Sequence, residues 1–328
     1  MEVTLLFEKE IRELIGPAEA LTAVREAFAK LARGEAILPG VIGIDLPEHR
    51  AEVHVKGAHL RGTPYYSIKE AAGSWDNPSK GLPLGTGIVL VFDAATTFLK
   101  AILFDNGYLT DLRTGAAGAL AADLLGNRVV DRVGIVGVGY QGRYQLESLL
   151  GVRRPERVMA WGRTPAKVEA YCKEMEVRHG VRVLPAKTVE QAVRGSDVVV
   201  TATPAHEPVV RADWIQRGTH ITAVGSDGPD KQELDVGVIA KADKVVADQW
   251  DQCVRLGEIH HAVEAGVFTR GKLYAELGEI AAGRKPGRES DEEITVADLT
   301  GVGVQDAAVA NYVAAEALRR GLGKVLDM

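Results

Sequence analysis

Val133–Gly142, VGIVGVGYQG, is the stretch that decides the fold of this chain. A β-branched run, Val133–Val136, leads into Gly137–Val138–Gly139–Tyr140–Gln141–Gly142, and a helical pattern then continues to Leu150. A G-x-G-x-x-G is weak alone, because glycines are common in turns. Between a strand and a helix it predicts a dinucleotide-binding turn. Gly137 permits the tight turn, Gly139 lets the backbone approach a pyrophosphate, and Gly142 lets helix and strand pack closely. Tyr140 and Gln141 fall in the first helical turn, whose unpaired N–H groups and dipole suit phosphate.

Reading onward, RVMAWGR, VRVLPA, DVVVTAT, HITAVGS and KVVADQ are short apolar runs, mostly separated by helical stretches. Continuous apolar strands alternating with helices predict a parallel sheet covered on both faces. The second strand ends in Ala160–Trp161–Gly162–Arg163–Thr164, where an NAD-binding sheet needs an acid for the ribose hydroxyl. An arginine and a hydroxyl suit a 2′-phosphate instead, which favours NADP(H) and leaves NAD(H) open. The bland alternative is an Arg163 that starts the next helix in solvent. Thr201 and Thr203 end a strand at the carboxyl edge, where they either line a cofactor channel or make a plain turn.

Reading backward, helical spacing covers residues 9–33, with Pro17 opening the second of two short helices. From about residue 41 the period becomes two. VIGIDL, EVHVKGAHL and YYSIKEAA read as strands, Gly73–Gly87 as a long loop, and GIVLVFD with FLKAILF as a hairpin. Asp105–Asn106–Gly107 is a turn, and Leu109–Leu125 a helix whose middle, GAAGALAA, allows close approach to another backbone. A last helix is predicted over Val304–Arg320. The pattern implies an α/β chain: a Rossmann-type doubly wound sheet over 115–303, with 1–114 and 304–328 forming an α+β domain on an antiparallel sheet.

The 328 residues include 46% hydrophobic and 26% charged, ordinary for a soluble globular chain. A formal net charge of -6 argues against a nucleic-acid partner. Two cysteines, Cys172 and Cys253, make neither a disulfide framework nor a four-cysteine zinc site. The N-terminus lacks the apolar core of a signal peptide, and no apolar run approaches the ~18 residues of a spanning helix. The expectation is a cytoplasmic protein with no membrane partner.

Four patterns in order along the chain resemble the ornithine cyclodeaminase/μ-crystallin family. They are Lys69 in YYSIKEAAG, Arg113 in LTDLRTGAAGALAA, the loop GVGYQG, and Asp227 in AVGSDGPDKQELD; DLTGVGVQDAAVANYV from Asp298 looks like the family's C-terminal segment. The resemblance implies a Rossmann domain paired with a substrate-binding and dimerisation domain, normally as a homodimer. It implies that Arg113 anchors a substrate carboxylate, that Lys69 contacts the same carboxylate and polarises the reacting centre, and that Asp227 is the general acid/base. It also puts Thr86 and Val302 near the cofactor. The residue types suit these roles: a guanidinium fork holds a carboxylate by two parallel bonds, and a carboxyl group donates the proton that imine reduction needs.

The sequence departs from the family pattern in the early strand. Many relatives carry an arginine upstream of the lysine, whereas AEVHVKGAH offers His54 and Lys56 on one strand face. They either bind a carboxylate, such as a second one on a dicarboxylic substrate, or are solvated edge residues. Glu258, His260 and His261 lack metal-site spacing and are expected on an exposed helix, with no metal. The leading expectation is an NAD(P)-dependent reductase or dehydrogenase of a small imino or amino acid. A cyclodeaminase lyase that uses NAD⁺ catalytically is the second reading, and a non-catalytic NADP-dependent ligand-binding protein is the third.

Overall fold

In the computed structural model, which describes residues 2–327, the chain divides into two units, Met1–Arg113 with Val302–Met328, and Thr114–Gly301. The first contains β1 (Glu2–Phe7), β2 (Ala36–Ile37), β3 (Ile42–Leu46), β4 (Ala51–Leu60), β5 (Tyr65–Ser74), β6 (Gly85–Asp93) and β7 (Leu99–Phe104). The sheet runs β1-β7-β6-β5-β4-β2, with β3 also on β4 and the C-terminal strand Lys324–Asp327 outside β1. Its pairings are antiparallel except β1 with β7, which is parallel. Several segments depart from the sequence expectation. β1 and the C-terminal strand are short terminal pieces whose pairing partners lie far along the chain, so no local signal marks them. The long loop is also shorter than expected. Gly73 and Gly85 are already ladder partners, and only residues 75–84 connect the strands.

Alternation along the strands sends Lys56, Ala58 and Leu60 of β4, Ser67 and Lys69 of β5, and Val89 and Val91 of β6 to one buried face. The helices Pro17–Ala32 and Gly303–Arg320 lie in this unit, the second against β4, β5 and β6. A Cβ at Gly303 would stand 2.7 Å from the Gly57 carbonyl oxygen, so glycine there lets the helix start sit directly on β4.

The second unit is one sheet of β8 (Arg132–Val136), β9 (Arg157–Trp161), β10 (Arg182–Pro185), β11 (Val198–Thr201), β12 (His220–Ala223), β13 (Lys244–Ala247), β14 (Ala275–Glu276) and β15 (Thr295–Asp298). The order is β10-β9-β8-β11-β12-β15-β13-β14, and every pair is parallel. The six strands expected from the sequence are all present. β15 was not expected; it slots between β12 and β13, although its short apolar run follows an acidic, loop-like stretch. The order reverses between β8 and β11, which is where open α/β sheets bind ligands.

The helix Tyr108–Leu125 follows a turn with Asn106 and Gly107 at φ 52° and 88°, and Asp105 caps it by accepting from the Leu109 N–H at 2.8 Å. Its small residues serve contact with the helix Tyr140–Leu150. A Cβ at Gly115 would lie 2.6 Å from the Tyr144 carbonyl, and one at Gly118 would lie 1.9 Å from Gln145 Oε1.

Candidate active site

The turn after β8 has the shape its glycines predict. Gly137 takes φ 113°, with the Ala202 carbonyl after β11 only 2.4 Å from where a Cβ would be. A Cβ on Gly142 would meet the Gly137 carbonyl at 2.0 Å, so helix and strand close on each other there. Gly139 differs: a Cβ there meets nothing within 4 Å, which leaves the turn's outer side open beside the helix N-terminus. This open backbone at a sheet switch point fits the pyrophosphate of a dinucleotide. Arg143 braces the turn, donating to the Val138 and Gly139 carbonyls at 2.7 and 3.1 Å while pairing with Glu174. Two substitutions separate fold from binding. Gly142→Ala is expected to lower Tm, whereas Gly139→Ala keeps Tm and weakens dinucleotide binding by about tenfold or more on calorimetric titration.

In the first unit the chain gathers charge where a core normally excludes it. Lys69 on β5 and Arg113 on the helix Tyr108–Leu125 are 2% and 5% exposed, and Lys56 of β4 is Lys69's register partner on the same buried face. Asp306, also buried, joins them from the helix Gly303–Arg320. Arg113 Nε donates to Asp306 Oδ1 at 3.0 Å, Arg113 Nη1 donates to Gln305 Oε1 at 2.8 Å, and Lys69 Nζ lies 3.4 Å from Asp306 Oδ1. Lys69 also donates to the Thr110 hydroxyl at 3.3 Å. Burial pushes the Lys69 ammonium below its usual range, opposed chiefly by Asp306. Burial alone would raise the Asp306 carboxyl, but Arg113, Lys69 and Lys56 together hold it below the usual range. Asp105, nearby, is raised by burial. Two buried cations, Lys69 and Arg113, share the one Asp306 oxygen, an arrangement with affinity for a further anion. Lys56 is therefore no solvated edge residue, because β4 is an interior strand. His54, on the same strand, is half-buried.

Asp227 sits in the loop after β12, half-buried, with Oδ1 accepting from Lys231 Nζ at 2.8 Å. Residues behind it pin the loop. Glu233, fully buried, accepts from the Thr201 hydroxyl at 2.7 Å, from the Thr203 N–H and hydroxyl at 2.6 and 2.7 Å, and from the Gly225 N–H at 2.8 Å. Glu258 accepts from the N–H groups of Glu233 and Leu234. Burial pushes the Glu233 carboxyl up to about 7 and raises Glu258 well above its ordinary range, helped there by the neighbouring Glu233 and Asp298. Thr201 and Thr203 thus give their hydroxyls to Glu233. The expected exposure of Glu258 was wrong. It is buried, and its two carboxylate oxygens satisfy the Glu233 and Leu234 N–H groups.

Among the described residues, His260, His261 and Glu264 form the one grouping with metal-ligating atoms close together. His260 and His261 are already engaged: their ring nitrogens lie 3.1 Å from the Val254 carbonyl and 2.8 Å from the Lys231 carbonyl. Arg163 and Thr164 are exposed at the end of β9, with Thr164 at the N-cap of the helix Pro165–His179. Tyr140 is exposed and Gln141 half-buried. Thr86 is exposed on β6, and Val302 is buried at the N-cap of the helix Gly303–Arg320. Sequence reasoning missed Asp306, Gln305, Lys231 and Glu233. The adjacent polar pair Gln305–Asp306, in an otherwise small and apolar helix, is a signal that marks the first two.

A Rossmann-type sheet with an open dinucleotide turn, in one chain with an α+β unit holding a buried cation cluster, defines a two-unit dinucleotide-binding protein. The chain belongs to the ornithine cyclodeaminase/mu-crystallin family, whose model matches residues 1–321. It is 41% identical to an uncharacterized cyclodeaminase of Sinorhizobium fredii over 98% of each chain. Its structure is similar to an archaeal alanine dehydrogenase dimer with bound NAD, at TM-score 0.93 and 38% identity over 100% of both chains. It is equally similar to the Thermococcus litoralis Δ1-pyrroline-2-carboxylate reductase in complex with NADH and L-proline, at TM-score 0.94 and 31% identity over 98% and 99% of the two chains.

Proposed function

We propose that this protein is a nicotinamide-dependent oxidoreductase acting at the α-carbon of a small imino or amino acid. The observation that carries the reading is the buried Lys69–Arg113–Asp306 cluster, whose excess cation suits a carboxylate. Arg113 holds the substrate carboxylate through Nη2, the guanidinium nitrogen that Asp306 and Gln305 leave over. Lys69 contacts the same carboxylate and draws electrons from the reacting centre, and His54 and Lys56 stand on the strand beside it. Asp227 gives the nitrogen its proton in reduction and takes it back in oxidation. The turn Gly137–Gly142 holds the dinucleotide, and Thr86, Thr201, Thr203 and Val302 are assigned to the same cofactor. A bound nicotinamide donates or accepts the hydride.

For the cofactor, an exposed Arg163 and the absence of an acid after β9 support NADP(H), although the two structures named above hold NAD and NADH. The test is a spectrophotometric screen of NADPH and NADH with cyclic imines, 2-oxo acids with ammonia or amines, and ornithine. NADPH is expected to be used at the lower KM, and Arg163→Ala to erase that preference by about tenfold or more. NADH used with NADPH rejected would overturn the assignment of Arg163. Stoichiometric consumption of cofactor supports a reductase. Ring closure from ornithine without net consumption would favour the lyase reading suggested by the Sinorhizobium relative.

The assembly we propose is a homodimer. The face of the first sheet opposite the core carries Ile42, Ile44 and Ile68 at 60%, 47% and 39% exposure, flanked by half-buried Val53, Val55 and Leu90. An apolar surface of this extent on one sheet face suits a second copy. No helix among the described residues is long and apolar enough to cross a membrane, and the buried thiols Cys172 and Cys253 suit the cytoplasm.

A further inference from the structure

We propose that Asp306 is a positioning residue that aims the Arg113 guanidinium and holds the Lys69 ammonium for substrate. The inference rests on the carboxylate-binding reading of those two cations. A guanidinium is planar, so fixing two of its nitrogens fixes the direction of the third. Asp306 takes Nε at 3.0 Å and its neighbour Gln305 takes Nη1 at 2.8 Å. Nη2 makes no hydrogen bond among the described residues and is the nitrogen left for a ligand. The same Asp306 oxygen lies 3.4 Å from Lys69 Nζ, so one atom sets both cations.

The support is itself rigid. Asp306 is in the first turn of the helix Gly303–Arg320, and Gly303 seats that turn against the Gly57 carbonyl. The other oxygen, Oδ2, is buried and has no partner among the described residues. A carboxylate kept only to knit the core would satisfy both oxygens; this one is present for its charge.

The groups that face Lys69 are Lys56 from β4, Arg113 and Thr110 from the helix Tyr108–Leu125, Asp105 before that helix, and Asp306. Burial and Arg113 work against the ammonium, and Asp306 is the largest opposing influence. Removing its charge therefore makes Lys69 lose its proton at lower pH.

Asp306→Asn keeps the shape and an oxygen for Arg113 but removes the charge. The alkaline limb of kcat/KM is expected to move to lower pH by about one unit or more, with dinucleotide Kd within about twofold of wild type. The titration of Lys69, followed by NMR of the whole protein carrying 13Cε-lysine, should shift by the same amount. That readout needs no turnover. If wild type turns over no amino or imino acid yet Lys69 shifts, the functional reading falls and the positioning role stands. If turnover is present but Lys69 and the pH limb match wild type, the proposal is overturned. Should Asp306→Asn not fold, Asp306→Glu keeps the charge and displaces the aim. It is expected to leave the Lys69 titration in place and raise substrate KM about tenfold; a wild-type KM would overturn the proposal.

Discussion

Asp227→Asn is expected to lower kcat by about 10²- to 10⁴-fold while leaving dinucleotide Kd within about twofold of wild type. The amide matches the carboxylate in size, and its oxygen still accepts from Lys231, which stands 2.8 Å from Asp227 Oδ1. What it lacks is a transferable proton. Loop geometry should survive, because Glu233 and Glu258 fix the segment through backbone N–H groups independent of Asp227. An unchanged Tm in a melting experiment is thus part of the expected result. A loss seen only in KM would make Asp227 a binding group and not the proton carrier. Turnover equal to wild type would remove it from the chemistry.

The second unit was legible because its sheet is parallel and covered on both faces, so each buried strand announces itself as a continuous apolar run. Val198–Thr201 and Lys244–Ala247 are readable on those grounds. Thr295–Asp298 is equally buried but was hidden, because a four-residue strand offers little periodicity and its acidic run-up reads as loop. The dinucleotide turn was legible down to single glycines, since each position has its own steric demand. The cation cluster was legible only in part. Lys69 and Arg113 stood out through resemblance, but their arrangement depends on a helix almost two hundred residues later, and nothing local to Asp306 says which cations it meets. Lys56 shows the same limit: alternation puts it on the face of Lys69's strand partner, yet only the sheet order makes that strand interior. Glu233 and Glu258 were invisible for a related reason. Acids in polar segments read as solvated until tertiary structure shows the N–H groups they satisfy.

Arg113→Lys is the sharper test of how the carboxylate is held. Lysine keeps the positive charge, so Asp306 is not stranded, but a point charge cannot serve Asp306, Gln305 and a ligand at once. Gln305 Oε1, fully buried and now paired at 2.8 Å, would lose its donor, at a stability cost of about 1–3 kcal/mol. The expected signature is a substrate KM raised about 10- to 10²-fold, from losing the aimed, charge-assisted Nη2 contact, with dinucleotide affinity unchanged. Arg113→Met should behave differently. It leaves the buried Asp306 carboxylate with Lys69 at 3.4 Å as its closest remaining cation, and breaking a buried pair costs about 3–5 kcal/mol. Tm should therefore fall much further for Met than for Lys, while both raise KM. Charge alone would predict normal substrate binding for Arg113→Lys. If that variant saturates at the wild-type KM, the directional grip of the guanidinium has no part in recognition, and the case for Asp306 as its aiming residue goes with it.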